Sequence, residues 1–145
     1  MHYLDIKLEG IDSNREIKNF TLRDFLDKNI ILYFYPQDDT PVCTKEANYF
    51  KENIDKLKNF AHIIGVSSNN INDHIDFHKK YNLNFILLSD KNNELKNSFK
   101  EHKNYNPSLE RTTIIIDKNG EISKVWEKVD VDGHLEEIFE YFKNL

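Results

Sequence analysis

A short apolar run at residues 29–35 constrains the fold of this chain more than any other segment. The run is rich in β-branched and aromatic residues, is too short for a buried helix, and ends at Pro36. Such a run predicts a strand that is covered on both faces, as in sheets that have helices on each side. Three further runs of the same kind predict neighbouring strands, at residues 61–66, 84–88 and 112–116.

Between these runs, apolar residues recur at helical spacing. They do so from residue 43 to residue 57, and again from residue 71 to residue 78. Asn82, which tolerates a left-handed cap, is expected to end the second of these helices. Residues 92–100 predict a third, shorter helix. A last apolar stripe predicts a helix through Leu135, Ile138, Phe139 and Phe142.

Two hairpins complete the predicted order of elements. Residues 117–120 join the strand at 112–116 to residues 121–127, and their closing Asn-Gly pair is a hairpin signal. Residues 4–18 predict another hairpin, as an extension at the amino end. Strands that alternate with helices before a closing hairpin and helix predict an α/β fold, with a mixed central sheet flanked by helices. A thioredoxin-like fold fits this order, as one domain over residues 1–145.

Composition and charge exclude several functions. The chain has 20 Lys+Arg against 25 Asp+Glu, and a net charge of −5 offers no basic surface for nucleic acid or an anionic membrane. A single cysteine excludes an internal disulfide, a Cys-x-x-Cys pair and a zinc site of several cysteines. No apolar run is long enough to cross a bilayer and the first residues lack a secretory signal, so we expect a cytoplasmic protein.

We expect neither a metal nor another cofactor. His74 and His78 are four residues apart on a predicted helix, which is a spacing that metal ligands use, but no third ligand falls in the expected frame. Residues 130–133 are similar to part of a calcium loop but lack its closing Glu, so they predict a turn before the last helix.

Cys43 is placed at the start of the first predicted helix. Thr40 is a good N-cap and Pro41 is favoured at the first helical position, so Cys43 is predicted to be the third helical residue. Unsatisfied N–H groups and the positive end of the helix dipole favour a thiolate there, and the Thr40 hydroxyl is expected within reach of the same turn. A lone intracellular cysteine is usually a small buried apolar residue, so position alone leaves its reactivity open.

The residues around Cys43 resemble a known active-site motif. Pro36-x-x-x-Thr40-x-x-Cys43 is similar to the Pro-x-x-x-Thr-x-x-Cys motif of the peroxiredoxins. The wider string over residues 33–47 resembles the peroxiredoxin Q (bacterioferritin comigratory protein) branch of that family. Further stretches similar to that branch follow in the same order: Gly65-Val66-Ser67, Leu88-Ser89-Asp90, Glu110-Arg111-Thr112-Thr113 and Val125-Trp126.

The resemblance implies a role for each matching position. Cys43 is implied to be the peroxidatic cysteine, with Thr40 and Arg111 as the polar partners that hold the thiolate and the peroxide. Pro36 is implied to shield the pocket, and we expect a structural or arginine-orienting role for Glu46. Arginine is scarce in this chain, so an arginine beside a strand start is expected to be needed for its planar, always-charged fork.

Two positions depart from the pattern of the branch. Val42 stands where peroxiredoxin Q usually has Gly, although one-cysteine peroxiredoxins carry the same Thr-Pro-Val-Cys-Thr string. Asn48 stands five residues after Cys43, where many members carry the resolving cysteine. Either the chain uses a one-cysteine mechanism, or Asn48 replaces a natural resolving cysteine, and the sequence leaves both open.

The implied function is that of a thiol-dependent peroxidase, which reduces hydrogen peroxide and organic hydroperoxides through a Cys43 sulfenic acid. Without a second cysteine, an external thiol is expected to resolve the sulfenic acid: a thioredoxin, a glutaredoxin or a small thiol. The alternative is a peroxide-sensing module that passes oxidation to a partner protein without turnover. The chain stops at Leu145, without the extension of larger one-cysteine peroxiredoxins, so we expect a monomer or a weak dimer.

Overall fold

The chain folds into a mixed sheet with helices on both faces, in a computed structural model that describes residues 1–103 and 111–144. The strands in these residues are β1 (Leu8–Ile11), β2 (Ile17–Phe20), β3 (Asn29–Phe34), β4 (Ala61–Ser67), β5 (Ile86–Ser89), β6 (Thr112–Ile116) and β7 (Ile122–Trp126). The α-helices are α1 (Pro41–Glu52), α2 (Ile54–Leu57), α3 (Ile71–Lys80), α4 (Glu94–Lys103) and α5 (Val131–Lys143). Two short 3-10 helices lie at Tyr3–Asp5 and Leu22–Phe25.

The strands of the sheet follow the order β2-β1-β5-β4-β3-β6-β7. At its centre β3, β4 and β5 run parallel to one another. β6 pairs antiparallel with β3, and β1 pairs antiparallel with β5. The edge strands β2 and β7 are the hairpin partners of β1 and β6. This arrangement confirms the predicted α/β class and the mixed central sheet.

Strand β3 is covered on both faces, as its continuous apolar run predicts. Ile31 and Tyr33 pack with α1, α3 and α5 on one face of the sheet. Ile30, Leu32 and Phe34 pack on the opposite face, with the 3-10 helices and α4. Alternate side chains of a strand point to opposite faces, so a strand between two apolar layers is apolar at every position. β3 ends at Phe34, and the loop to α1 begins there.

Several predicted elements have different bounds in the structure. The predicted helix over residues 43–57 is two helices, because Asn53 lies between α1 and α2 with non-helical backbone angles and donates from its side chain to Tyr49 O at 2.8 Å. The amino-terminal hairpin is formed by β1 and β2, so it begins and ends later than residues 4–18. α5 is kinked at Gly133, where φ is 94°, which agrees with the turn predicted at residues 130–133.

Two further helix predictions can be compared with the structure. The third helix begins at Glu94 rather than at residue 92, because Asn93 has a φ of 57° and the Asp90 carboxylate accepts from the Leu95 and Lys96 N–H groups. Asn82 has a φ of 49°, so it takes the left-handed conformation predicted for it. Glu110 and Leu145 lie outside the described residues.

The helices of the described residues are short or amphipathic. None of them combines the length and the apolar character that a crossing of a lipid bilayer requires. Their apolar sides instead pack against the two faces of the sheet, where they form the core on each side. The carboxyl ends of β3, β4 and β5 lie at one edge between these layers, and the loop that precedes α1 runs across that edge.

Candidate active site

Cys43 is the third residue of α1, as the sequence predicts. Thr40 takes the N-cap position with extended backbone angles, and Pro41 is the first helical residue. The Thr44 N–H donates to Thr40 O at 2.9 Å and closes the first turn. Cys43 is 1% exposed, so its sulfur has little direct access to solvent. The side chain immediately before it, Val42, is 50% exposed.

Arg111 is brought to Cys43 by the pairing of β3 with β6. In that antiparallel ladder Phe34 lies opposite Thr112, so Arg111 falls beside the carboxyl end of β3. The Val129 N–H donates to Arg111 O at 3.0 Å and fixes the arginine backbone there. From this position Arg111 Nη2 lies 3.2 Å from Cys43 Sγ. The structure therefore joins two residues that the sequence analysis placed in one site.

Glu46 holds the other side of the same guanidinium. Arg111 Nη1 donates to Glu46 Oε1 at 3.0 Å, and the two side chains are 14% and 3% exposed. Because Glu46 is one helical turn after Cys43, both face Arg111 from the same side of α1. The fork of Arg111 thus reaches a sulfur with one nitrogen and a carboxylate with the other. Glu46 thus makes the contact that an arginine-orienting role requires, and the role itself stays a prediction.

Burial sets the electrostatics of this group of residues. It raises the pKa of Glu46 to about 7, and the neighbouring Arg111 charge offsets only part of that effect. Glu46 Oε2 is buried and has no hydrogen-bond partner among the described residues. Burial on its own lowers the pKa of Arg111, but the hydrogen bond to Cys43 and the charge of Glu46 outweigh it and leave that pKa raised. The guanidinium is therefore charged at any physiological pH.

Thr40 and Pro36 belong to the loop between β3 and α1. The Thr40 hydroxyl donates to Gln37 O at 3.1 Å and makes no capping bond to the first turn of α1. Its hydrogen is directed to the preceding loop, and its oxygen lone pairs stay available as acceptors. Pro36 is exposed at the end of β3 and lines a cavity of about 210 Å³ together with Tyr35 and Ser67.

Asn48 lies on α1 with intermediate burial, on a different side of the helix from Cys43. Five residues along an α-helix correspond to a rise of about 7.5 Å and a rotation of about 140°. Two cysteines at these positions would lie beyond the ~7 Å limit between Cα atoms that a disulfide permits. A side chain at position 48 therefore cannot reach Sγ while α1 stays intact.

The sequence analysis missed a buried polar network in the loop before α1. Tyr35 Oη donates to Asp38 Oδ1 at 2.6 Å, and His74 Nδ1 lies 2.6 Å from Asp38 Oδ2. In the sequence, His74 stands out only by its spacing to His78, which is a spacing that metal ligands use. In the structure the two imidazoles contact backbone carbonyls, of Leu88 and Phe85 respectively, each at 2.9 Å. The proximity of the Asp38 and His74 partners depends on the fold, and no local sequence spacing signals it.

Comparisons of the sequence with known proteins cover most of the chain. Residues 2–125 match the sequence profile of the AhpC/TSA family. Peroxiredoxin Bcp of Bacillus subtilis is 38% identical over 148 residues, which cover 97% of this chain and 92% of that protein. A Coxiella burnetii protein named for the same peroxiredoxin is 46% identical over 129 residues, which cover 81% of this chain and 83% of that protein.

Solved structures show the same fold. A cysteine-to-serine variant of Xanthomonas campestris peroxiredoxin Q superposes with a TM-score of 0.83 at 28% identity, covering 98% of this chain and 92% of that one. Plasmodium yoelii thioredoxin peroxidase I superposes with a TM-score of 0.82 at 24% identity, a likeness of fold, covering 96% of this chain and 85% of that one. These superpositions confirm the predicted thioredoxin-like fold.

Proposed function

Because this chain belongs to the AhpC/TSA family, in its peroxiredoxin Q (Bcp) branch and with a single cysteine, we propose that Cys43 is the residue with which it reduces peroxides. The chain is a thiol-dependent peroxidase, as the resemblance of its motifs implied. The observation that carries the assignment to Cys43 is the 3.2 Å contact of its Sγ with Arg111 Nη2.

The first step is a displacement at oxygen. The Cys43 thiolate attacks the terminal oxygen of the peroxide, an S–O bond forms and the O–O bond breaks. Cys43 is oxidised to the sulfenic acid while the peroxide is reduced to an alkoxide, or to hydroxide when the substrate is hydrogen peroxide. The leaving oxygen then takes up a proton from solvent to give an alcohol or water.

Ionisation of the thiol explains only a small part of the rate. A free thiol is a few per cent ionised at pH 7, so complete ionisation gains about thirtyfold, or ~2 kcal/mol. Nucleophilicity falls along with the pKa and removes part of that gain. The remainder has to come from orientation of the peroxide and from stabilisation of the charge that develops on the departing oxygen.

Arg111 is suited to provide that stabilisation. Its Nη2 is already next to Sγ, so an oxygen that bonds to the sulfur will lie within reach of the same guanidinium. The ion pair with Glu46 at 3.0 Å fixes the rotation of the fork, and lysine offers no second nitrogen with which to satisfy both partners. We assign Arg111 to charge stabilisation and Glu46 to the positioning of Arg111.

Thr40 and Pro36 are proposed to shape the place where the peroxide binds. The Thr40 hydroxyl donates to Gln37 O, so its oxygen can accept the O–H of a hydroperoxide beside Cys43. Pro36 has no N–H group, and its proposed role is the one that the family motif implies, to shield the pocket from the side where the loop begins. Both hydrogen peroxide and organic hydroperoxides present the O–H that this arrangement would bind.

The sulfenic acid is proposed to be reduced by an external thiol. The thiol attacks Sγ, water leaves, and a mixed disulfide forms; a second thiol then releases Cys43 and carries away the disulfide of the reductant. A thioredoxin, a glutaredoxin or a small thiol would each supply these two electrons. The single cysteine of the chain supports this one-cysteine route.

A steady-state assay of peroxide consumption with each of these reductants tests the proposal. We expect many turnovers per protein molecule, saturation by the peroxide, and complete loss of activity in a Cys43→Ser variant. A mixed disulfide between Cys43 and the reductant is expected by mass spectrometry. Consumption of one peroxide equivalent and no more, with every reductant, would contradict turnover and support the sensing alternative.

A further inference from the structure

The Asp38 carboxyl group is the best-anchored part of the loop that joins β3 to α1. Tyr35 Oη donates to its Oδ1 and His74 Nδ1 faces its Oδ2, each at 2.6 Å. The side chains of His74 and Asp38 are 0% and 5% exposed. A carboxyl group with a hydrogen-bond partner on each oxygen, away from water, holds its loop far more firmly than an exposed ion pair does.

His74 connects this carboxyl group to the sheet. Its Nε2 lies 2.9 Å from Leu88 O, which can only accept, so Nε2 carries a hydrogen and donates it. A single proton then lies between Nδ1 and Asp38 Oδ2, and the pair is neutral as a unit whichever atom holds that proton. Because neither partner can be removed without leaving the other buried and unsatisfied, the pair behaves as one element.

The pair spans the edge of the sheet that lies under the active-site loop. His74 belongs to α3, Leu88 to β5, and Asp38 to the loop that leads into the first turn of α1. The Asp38 N–H adds a bond to Asn69 Oδ1 at 2.9 Å, at the end of β4. Asp39 makes only exposed bonds, to Lys80 and Tyr81, which contribute less.

The two half-reactions of a one-cysteine peroxidase require different access to the sulfur. Oxidation needs the loop and the first turn of α1 as they are in this structure, which we call the closed arrangement. A small peroxide must meet Sγ, Arg111 and Thr40 together. Reduction by a protein thiol needs Sγ to be approached by a second sulfur, and Cys43 is 1% exposed in the closed arrangement. Interactions that hold the loop in the closed arrangement therefore favour oxidation by peroxide and slow reduction by a protein thiol.

We propose that Asp38 and His74 form a latch that positions the loop and the first turn of α1 for reaction with peroxide and limits the exposure of Cys43 to bulky thiols. The latch residues do not touch the peroxide, so they are positioning residues. This inference rests on the proposed function for its catalytic consequence. Its structural content, the anchoring of the loop that leads into the first turn of α1, does not depend on peroxide chemistry.

Substitutions of His74 can separate its two hydrogen bonds. Glutamine places its amide nitrogen near the Nε2 position, so His74→Gln retains the bond to Leu88 O and loses the bond to Asp38. Asparagine places its nitrogen near the Nδ1 position, so His74→Asn retains the bond to Asp38. His78→Gln is the matched control, because His78 is equally buried on α3 and bonds to Phe85 O, but its Nδ1 accepts from Arg15 Nε and makes no contact with the loop.

Three measurements are made on each variant: the rate constant for Cys43 oxidation by hydrogen peroxide, the rate constant for its alkylation by a bulky maleimide, and hydrogen exchange at the Thr44 amide. We expect His74→Gln to oxidise about tenfold more slowly, to alkylate several-fold faster and to exchange faster at Thr44. His74→Asn should recover most of the oxidation rate. His78→Gln should stay within about twofold of the unaltered protein in all three, because its lost bond lies outside the loop.

Equal effects of His74→Gln and His78→Gln would overturn the latch, since they would show a general loss of stability. Parallel decreases in oxidation and alkylation would also overturn it. Failure of the unaltered protein to react with peroxide would instead refute the proposed function, while alkylation and hydrogen exchange would still test the latch. If His74→Gln does not fold, Asp38→Ala removes the carboxyl group, and with it the same bond, from the loop side, and the same three measurements apply.

Discussion

Arg111 Nη2 lies 3.2 Å from Cys43 Sγ, although 68 positions separate the two residues in the sequence. The contact depends on the register of β3 with β6, whose pairing of Phe34 with Thr112 ends the ladder beside the loop to α1. A shift of one residue in that register would direct the side chains of β6 to the other face of the sheet. The hydrogen bonding of the sheet therefore determines whether the thiol has a cationic neighbour.

The pH dependence of stability should reveal the buried Glu46 carboxyl group. Its pKa of about 7 in the folded protein is above the ordinary value of 4.5, so the folded state binds more protons than the unfolded state between those values. The free energy of unfolding should therefore decrease as the pH rises from about 4.5 to about 7, by about 3 kcal/mol from this group. Chemical denaturation across this pH range measures it.

Glu46→Gln is the control for that measurement, because it removes the titrating group and keeps the shape of the side chain. The difference between the unaltered protein and this variant should change with pH in the same window and be constant above about pH 8. A difference that does not vary between pH 4.5 and pH 8 would show that Glu46 titrates at its ordinary pKa.

Gly65 is expected to be intolerant of a side chain, for a reason of packing. An added Cβ would lie 2.9 Å from both Cζ and Oη of Tyr33 on the neighbouring strand. Gly65→Ala should therefore decrease the free energy of unfolding by roughly 1–3 kcal/mol, as overpacking of a core does. Denaturant unfolding of the purified variant measures the change.

The matched double variant identifies the clash. Tyr33 Oη is buried without a hydrogen-bond partner among the described residues, so Tyr33→Phe should cost little by itself. Combined with Gly65→Ala, it should recover part of the lost stability, because one of the two close atoms is removed. Strict additivity of the two changes would mean that the clash is relieved elsewhere in the core.

A cysteine at position 48 tests the rigidity of α1. In Asn48→Cys, one equivalent of peroxide should first give the Cys43 sulfenic acid and only then, slowly, an internal disulfide, because the helix must unwind to join the two sulfurs. The addition of His74→Gln should speed that second step by releasing the loop. Mass spectrometry after rapid quenching follows both species. Disulfide formation at the same rate in both variants would mean that the latch does not control unwinding.

Local patterns were sufficient for much of the fold. The predicted strand at residues 112–116 matches β6, and Thr40-Pro41 predicts the start of α1, because burial on both faces and helix capping are properties of contiguous residues. The break at Asn53 was not predicted, since the apolar spacing continues through it while its side chain bonds to the backbone. The kink at Gly133, by contrast, falls in the turn that residues 130–133 predict, before the apolar stripe of the last helix begins.

The candidate site was predictable in part. The motif of the family indicated Cys43, Thr40, Arg111, Pro36 and Glu46. The structure brings Arg111 to the sulfur and Glu46 to Arg111. The direction of the Thr40 hydroxyl depends on the loop backbone, which no residue spacing encodes. The partnership of Asp38 with His74 joins a loop to a helix 36 positions away, so it can be seen only once the sheet has assembled.

The most direct test of the account is a single-turnover measurement on Arg111→Ala, with Arg111→Lys beside it, of the rate constant for Cys43 oxidation by hydrogen peroxide. The thiolate fraction of each protein is measured in parallel by ultraviolet absorbance, with Cys43→Ser as the blank. We predict that Arg111→Ala lowers the rate constant about 10²–10³-fold while the thiolate fraction falls by far less, and that Arg111→Lys recovers little of the loss. A rate constant that decreases only in proportion to the thiolate fraction would contradict the account.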